Sequence, residues 1–449
     1  MIRKIYYVFI FFTALSCYAQ KPIIQTKYTA DPAPLVYNDT VFLYTGHDED
    51  DAFGFNMQDW LLYTSTDMVN WTDHGAVASL KDFKWLPLNN GAWAPQCVER
   101  NGKFYFYCPV PDGNGIGVLV ADSPYGPFTD PIGKPLIKNS NHDIDPTVLI
   151  DDDGQAYLYW GNPNLYYVKL NEDMISYSGE IVNEPTKPKN YQEGPWVWKR
   201  NGNYYMAYAS TCCPEGIGYA MSNSPTGPWE YKGMIMDGDP RSSGNHPGII
   251  DYEGTPYVFG FNYAILKQTM SKHYERRSIC VEELVYNTDG TINKLPFWSK
   301  NVKQKGTLNP YNRVEAETIA YSEGLKTEKS TEWERNISWN KGKKVADRLI
   351  VTSINNGDYL MVKGADFSRG ATSVNVSVAS LHGGKIEIHT DAIDGPILVT
   401  IDINASGEGD IWKSVSAPVD NIKGVHDLFF IFKGEKDLFK LDWWQFISK

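Results

Sequence analysis

Five residues that could move protons, offer an apolar ring face or hold an ion recur through the first three hundred positions of this chain, each opening a short apolar strand beside a proline. They are Asp31 in Asp31-Pro32, Trp93 in Trp93-Ala94-Pro95, Asp145 in Asp145-Pro146, Glu193 in Glu193-Gly194-Pro195 and His246 in His246-Pro247. Three carboxyls that share one pocket repel unless they share protons or bind something, so their proton affinities are driven apart. One then stays protonated while another stays ionised, the pairing that general acid–base chemistry needs. A single Asp-Pro is an ordinary way to start a turn. Five equivalent positions filled by Asp, Trp, Asp, Glu and His point instead to a site.

The elements that must position these residues are written into the same repeats. Seven to nine residues after each opening comes a tight turn: Asn38-Asp39, Asn101-Gly102, Asp153-Gly154, Asn201-Gly202 and Glu253-Gly254. Four of the five fit two-residue hairpin chemistry, in which Asn, Asp or Gly at both positions supplies positive φ. Aromatic strands leave the turns, among them Phe104-Tyr105-Phe106-Tyr107 and Tyr204-Tyr205-Met206-Ala207-Tyr208. A repeat of about fifty to sixty residues is the length of a four-stranded blade, which predicts an all-β five-bladed β-propeller over residues 20–300. The five openings then converge at one mouth of its channel.

The chain has 449 residues, enough for two domains, and 29 Tyr and 14 Trp suit β-rich packing. A net charge of −12 excludes a nucleic-acid partner, whose phosphates it would repel, and favours neutral substrates. No obligate protein partner is evident. Arg3 and Lys4 precede an apolar run from Ile5 to Leu15 and small residues at Ser16 and Ala19, the pattern of an export signal over residues 1–19. The chain is therefore expected to be periplasmic or secreted, with a lipoprotein acylated at Cys17 as the competing reading. Cys97, Cys108, Cys212, Cys213 and Cys280 have no zinc-site spacing and read as structural or free. The acidic run Tyr44-Thr45-Gly46-His47-Asp48-Glu49-Asp50-Asp51 lacks the glycine-centred pattern of a calcium loop and reads as a solvated loop. After a linker at residues 301–310, period-two stretches such as Ser373-Val374-Asn375-Val376-Ser377-Val378 predict a β-sandwich (jelly-roll) domain over residues 311–449.

Ala30-Asp31-Pro32-Ala33-Pro34, Ile144-Asp145-Pro146 with Asp151-Asp152-Asp153-Gly154, and Glu193-Gly194-Pro195 resemble, in order, the three acidic motifs of glycoside hydrolase family 43. That resemblance covers roughly residues 25–297. It implies Asp31 as general base, Glu193 as general acid and Asp145 as the carboxylate that raises the proton affinity of the acid and orients it. It also implies that Trp93 and Arg277 line the sugar pocket and that His246 lies near a bound calcium in the channel. The sandwich resembles carbohydrate-binding module family 6 through Asn312-Arg313-Val314-Glu315-Ala316-Glu317, Ile354-Asn355-Asn356-Gly357-Asp358-Tyr359 and Leu441-Asp442-Trp443-Trp444. Its structural calcium would carry over to Glu315, Glu317 and Asp442. Ser353, Gly409 and Lys440 depart from the aromatic and amide residues that such a module presents to sugar.

The expected activity is that of an inverting glycoside hydrolase removing α-L-arabinofuranosyl groups from plant polysaccharide such as arabinoxylan. Two alternatives stand beside it: a β-xylosidase or other furanosidase on the same fold, and a non-catalytic glycan-binding protein.

Overall fold

The computed structural model describes residues 21–50, 52–86, 90–110, 115–240, 245–265, 276–330, 348–406 and 411–449. The leader at residues 1–19, Cys17 and Gly409 lie outside the described residues.

Residues up to Glu283 form five antiparallel sheets, each beginning with one of the sequence repeats. The first strands of the blades are Tyr28–Tyr37, Gln96–Arg100, Thr147–Ile150, Tyr191–Arg200 and Gly248–Tyr252, and they meet around a common axis. This is a five-bladed β-propeller. The ring closes by main-chain hydrogen bonds, in which Ile23 N–H donates to the Ile279 carbonyl and Thr29 N–H to that of Arg277, both at 2.9 Å. Aromatic strands fill the space between blades: Tyr44, Trp60, Phe106 and Phe128 meet edge-on or tilted between the first two.

The turns follow their residue chemistry with one exchange. Asn38-Asp39, Asn101-Gly102, Asn201-Gly202 and also Glu253-Gly254 have positive φ at both positions, the primed-turn geometry that twisted hairpins favour. In Asp153-Gly154 only the glycine has positive φ. There the strands end at the pair Ile150↔Ala156, so residues 151–155 make a longer connection closed by the hydrogen bond from Asp151 N–H to the Gln155 carbonyl.

The second unit packs a sheet containing Leu349–Thr352, Lys440–Ile447, Ser373–Ala379 and Trp412–Pro418 against one containing Tyr359–Asp366, Val425–Lys433, Gly384–Thr390 and Ile397–Ile403. Trp444, Phe430, Phe432 and Phe446 fill the space between the sheets. In Ile397–Ile403 the buried residues Val399, Ile401 and Ile403 alternate with exposed ones, the period-two pattern of a half-buried strand.

The sandwich is stitched to the propeller. Its strand Thr318–Ile319 pairs with Trp71 and Thr72, adding a fifth strand to the first blade. Alongside, the buried Asp73 accepts from Lys27 Nζ at 2.7 Å and Thr327 Oγ1 at 2.6 Å. Two residues are too few to show as a strand in the sequence.

Candidate functional site

The residue before each proline sets the geometry at the axis. Asp31 and Asp145 have φ of 50° and 58°, and Gly194 has 59°. Non-glycine residues seldom adopt this left-handed region, and such strain clusters at functional sites. The strand register shifts at Asp31-Pro32 and again at Gly194-Pro195, as bulges that re-aim side chains do. Five dipeptides, Asp31-Pro32, Ala94-Pro95, Asp145-Pro146, Gly194-Pro195 and His246-Pro247, line a small cavity of about 20 Å³ on the axis.

This arrangement corrects the equivalence drawn from the sequence. The residues in matching positions are Asp31, Ala94, Asp145, Gly194 and His246, while Trp93 and Glu193 each stand one residue earlier. The reason at the fourth blade is steric. A Cβ at position 194 would come within 2.9 Å of the His246 ring, so glycine occupies the axial position and the glutamate precedes it.

His246 is the hub. Its Nδ1 lies 3.5 Å from Asp31 Oδ1, and its Nε2 lies 3.7 Å from Asp145 Oδ2 and 3.5 Å from Glu193 Oε1. Arg277 supplies a second cation, donating from Nη1 to Asp31 Oδ1 at 2.8 Å. Asp145 accepts the Gly194 N–H at 3.1 Å, and Asn162 donates to Glu193 Oε2.

Asp48 is fully buried and clamps Arg277 through its backbone N–H at 2.8 Å, Nε at 3.1 Å and Nη2 at 3.0 Å. The acidic run is therefore not a simple solvated loop. Alternation puts His47 and Glu49 on one side and Asp48 on the other, facing the arginine. Arg276 is also buried, donating to the carbonyls of Gly54 and Ala52. Phe55, half exposed, lies with its ring centroid 5.1 Å from the Arg277 guanidinium carbon.

Trp93 is half buried against the central apolar cluster and is absent from the lining of the axial cavity. Its carbonyl accepts from Trp60 Nε1 at 2.7 Å, and its own Nε1 is buried without a hydrogen-bond partner.

The electrostatics differ from the sequence expectation in one respect. Burial alone would lower the His246 pKa, but the charges of Asp145, Asp31 and Glu193 push it up to about 10. Asp145 is raised well above the carboxylate range by burial and by the Glu193 and Asp31 charges, against the pull of His246. Burial would raise Glu193 as well, yet hydrogen bonds from His246 and Asn162 and the charges of His246 and Arg277 hold it below its ordinary value. Of the two carboxyls, Asp145 therefore has the higher proton affinity. Oxygens of this pair lie within 4.8 Å of one another and of a His246 nitrogen.

A fourth carboxyl, Glu215, was not singled out in the sequence. It is buried beside an exposed Cys212–Cys213 disulfide, and burial followed by the Glu193 charge pushes it up to about 7. Asn162 and Glu215 belong to no motif, so nothing in the sequence marks them. Cys97, Cys108 and Cys280 are free and buried.

The other predicted ion ligands lie in the sandwich. Glu315 sits opposite Trp443 on the last strand, and Ala316 N–H donates to the Asp442 carbonyl, so the first and last segments of the domain meet there. Arg313 Nη2 lies 2.7 Å from Glu315 and 3.6 Å from Asp442, which also pairs with Arg348 at 2.9 Å. Asp442 Oδ1 and Glu317 Oε2 are buried with no hydrogen-bond partner. Burial and the Glu315, Asp73 and Asp442 charges push Glu317 up to about 9, although a backbone hydrogen bond opposes them. Ser353 has a φ of 59°, and the Trp412 ring lies 5.3 Å beneath the Arg348 guanidinium.

Comparison with known proteins agrees with this architecture. A family model described as glycosyl hydrolases family 43 matches residues 19–292, and one described as carbohydrate binding module (family 6) matches residues 315–448. Arabinoxylan arabinofuranohydrolase of Bacillus subtilis (strain 168) is 35% identical over 95% of this chain and 92% of its own length. The enzyme of the same name from Paenibacillus polymyxa is 33% identical over 95% of this chain and 74% of its own. A crystal structure of a glycoside hydrolase family 43 arabinoxylan arabinofuranohydrolase from Bacillus subtilis in complex with cellotetraose superposes with a TM-score of 0.82. It is 33% identical, covering 95% of this chain and 97% of that one.

Proposed function

The chain belongs to glycosyl hydrolase family 43, and from that premise we propose that it is an inverting glycoside hydrolase that removes α-L-arabinofuranosyl groups from arabinoxylan or a similar plant polysaccharide. The observation that carries the reading is the convergence of Asp31, Asp145 and Glu193 on His246 at the mouth of the propeller. Inverting hydrolysis needs an ionised carboxylate to activate water on one face of the sugar and a protonated carboxyl to protonate the leaving oxygen on the other. Asp31, paired with Arg277, is the base. Glu193, the acid of the three with the most exposed side chain, is the proton donor, supplied across the short gap to Asp145. His246 offsets the carboxylate charge and positions all three. Trp93 stands one residue before its blade's axial position, as Glu193 does, and is assigned to the rim that borders the sugar.

Calcium belongs to the sandwich in this reading. Buried, unpartnered oxygens on Glu317 and Asp442 suit a hard cation, and with Glu315 they would tie the first and last strands together. Asp145, Glu193 and His246 offer a second place for such an ion in the propeller channel, where binding at the ring nitrogen would displace its proton. The leader at residues 1–19 assigns the enzyme to the periplasm or the exterior, where such polysaccharides are met.

The test is incubation with arabinoxylan and with a panel of aryl glycosides, followed by identification of the released sugar. Arabinose from both arabinoxylan and the aryl arabinofuranoside supports the assignment. Release of xylose alone would move it to a β-xylosidase, and no release of any sugar would leave a glycan-binding protein.

A further inference from the structure

Glu215 and the Cys212–Cys213 disulfide lie between Asn203–Ser210 and Gly216–Ser222, the second and third strands of the blade that carries Glu193. The connection is fixed at its base, where Ser210 pairs with Gly216 and Thr211 N–H donates to the Asn190 carbonyl at 2.9 Å. Both half-cystines are exposed, whereas the Glu215 side chain is buried beneath them. Its carboxylate and the two sulfurs lie within 4.8 Å of one another. Asn245, the residue before His246, gives its backbone N–H to that carboxylate, and the charges of Glu193 and His246 both reach it.

A bonded sulfur pair cannot serve as two thiolates, so this group is not a metal site. It is an apolar, polarisable surface beside a hydrogen-bond acceptor held by a main-chain donor. A pyranose ring offers the complement, a C–H face edged by hydroxyl donors.

We propose that Glu215 and the Cys212–Cys213 disulfide form a subsite for the unbranched backbone of the polysaccharide, on the leaving-group side of the site. The proposal rests on the reading of Glu193 as proton donor. The leaving oxygen must lie against Glu193, so the chain attached to that oxygen passes over whatever flanks Glu193 at the rim. Glu215 accepts a backbone hydroxyl, and the disulfide supports the adjoining ring. An aryl arabinofuranoside carries no such chain and does not draw on this contact.

Two substitutions test the subsite in the full chain, Glu215→Gln and the pair Cys212→Ser with Cys213→Ser. The readout is the ratio of kcat/KM on arabinoxylan to kcat/KM on 4-nitrophenyl α-L-arabinofuranoside. The amide oxygen of Gln still accepts the hydroxyl but without the charge, and the weakened hydrogen bond predicts a fall of about three- to tenfold in that ratio for Glu215→Gln, carried by KM on the polymer. The disulfide variant, which keeps Glu215, should fall in the same direction. An unchanged ratio in both, or equal losses on the two substrates, overturns the proposal. Unbranched xylohexaose titrated calorimetrically into Glu193→Gln, with and without Glu215→Gln, gives a readout independent of turnover. Weaker binding in the double variant supports the subsite and equal binding overturns it, even if the wild-type enzyme cleaves neither substrate and the hydrolase reading itself falls.

Discussion

Replacing His246 by Gln removes the charge at the hub of three carboxyls while keeping a side chain of similar reach. Each carboxylate lies 3.5 to 3.7 Å from a ring nitrogen, and a charge pair at that distance is worth about 4 to 5 kcal/mol before desolvation at an effective dielectric near 20. The net effect is smaller and can be read from the ring itself. A histidine pushed from 6.5 to about 10 gains about 5 kcal/mol of folding free energy in acid, each tenfold change in proton affinity being worth about 1.4 kcal/mol. The sign follows from the direction: a raised pKa contributes fully below pH 6.5 and fades as pH rises through about 10. Raised proton affinity at Asp145 costs stability above the ordinary carboxylate range in both proteins, so the variant should be the less stable one at pH 6. Urea unfolding at about pH 6, 8 and 10 should show that deficit shrink toward the highest pH. In catalysis, Glu193 loses the hydrogen bond from the ring that holds its proton affinity down, and that affinity rises. The basic limb of kcat/KM on arabinoxylan should then move to higher pH. A limb that coincides with wild type, or a stability deficit that grows with pH, would refute the assignment of His246 as the charged hub.

Glu193→Ala should lose about two to four orders of magnitude on polysaccharide yet retain more on activated aryl glycosides, whereas Asp31→Ala should fail on both; equal loss by Glu193→Ala on the two substrates counts against it as the acid. Early-time NMR should find the product with inverted configuration, and the Asp31 and Glu193 carboxyls of a crystal structure about 6.5 to 9.5 Å apart; retention would sink the mechanism. Asp48→Asn, at a fully buried position, should lower stability by about 3 kcal/mol and reduce kcat by loosening Arg277; wild-type thermal unfolding and turnover would show the clamp to be dispensable. Chelation should lower the unfolding temperature of the sandwich and raise the proton affinity of Glu317, visible as proton release when calcium is added back near pH 8; no calorimetric change on either step would remove calcium from Glu315, Glu317 and Asp442.

What was legible in the sequence is what repeats. The five turns and their aromatic strands announced a propeller because each hairpin needs its own left-handed residues, and period-two runs announced the sandwich for the same local reason. Features made of side chains from distant blades left no such trace. Asp48 lay hidden in an acidic run because solvation and burial look alike in composition, and the strand Thr318–Ile319 is too short to carry a pattern. One error was avoidable. Counted back from its turn, the residue before the proline stands seven positions away in four blades, at Asp31, Ala94, Gly194 and His246, and eight at Asp145, where the connection is longer.

The one-residue offset of Glu193 has a physical consequence for the chemistry. At the axial position Asp31 and Asp145 place short side chains on a backbone of positive φ, and Gly194 takes the same backbone without a Cβ. A glutamate placed there would drive its Cβ into the His246 ring. Moved one residue toward the rim, it keeps a 3.5 Å contact with His246 through its longer side chain and leaves the side chain partly exposed, where Asp31 and Asp145 are buried. In the proposed roles, base and acid are thus held at different depths by the backbone itself. A sugar that enters far enough to meet Asp31 presents its linkage oxygen to Glu193 at the rim, and the chain it is cut from stays outside. On the proposed roles, that geometry would favour side groups and chain ends over the interior of a polymer backbone.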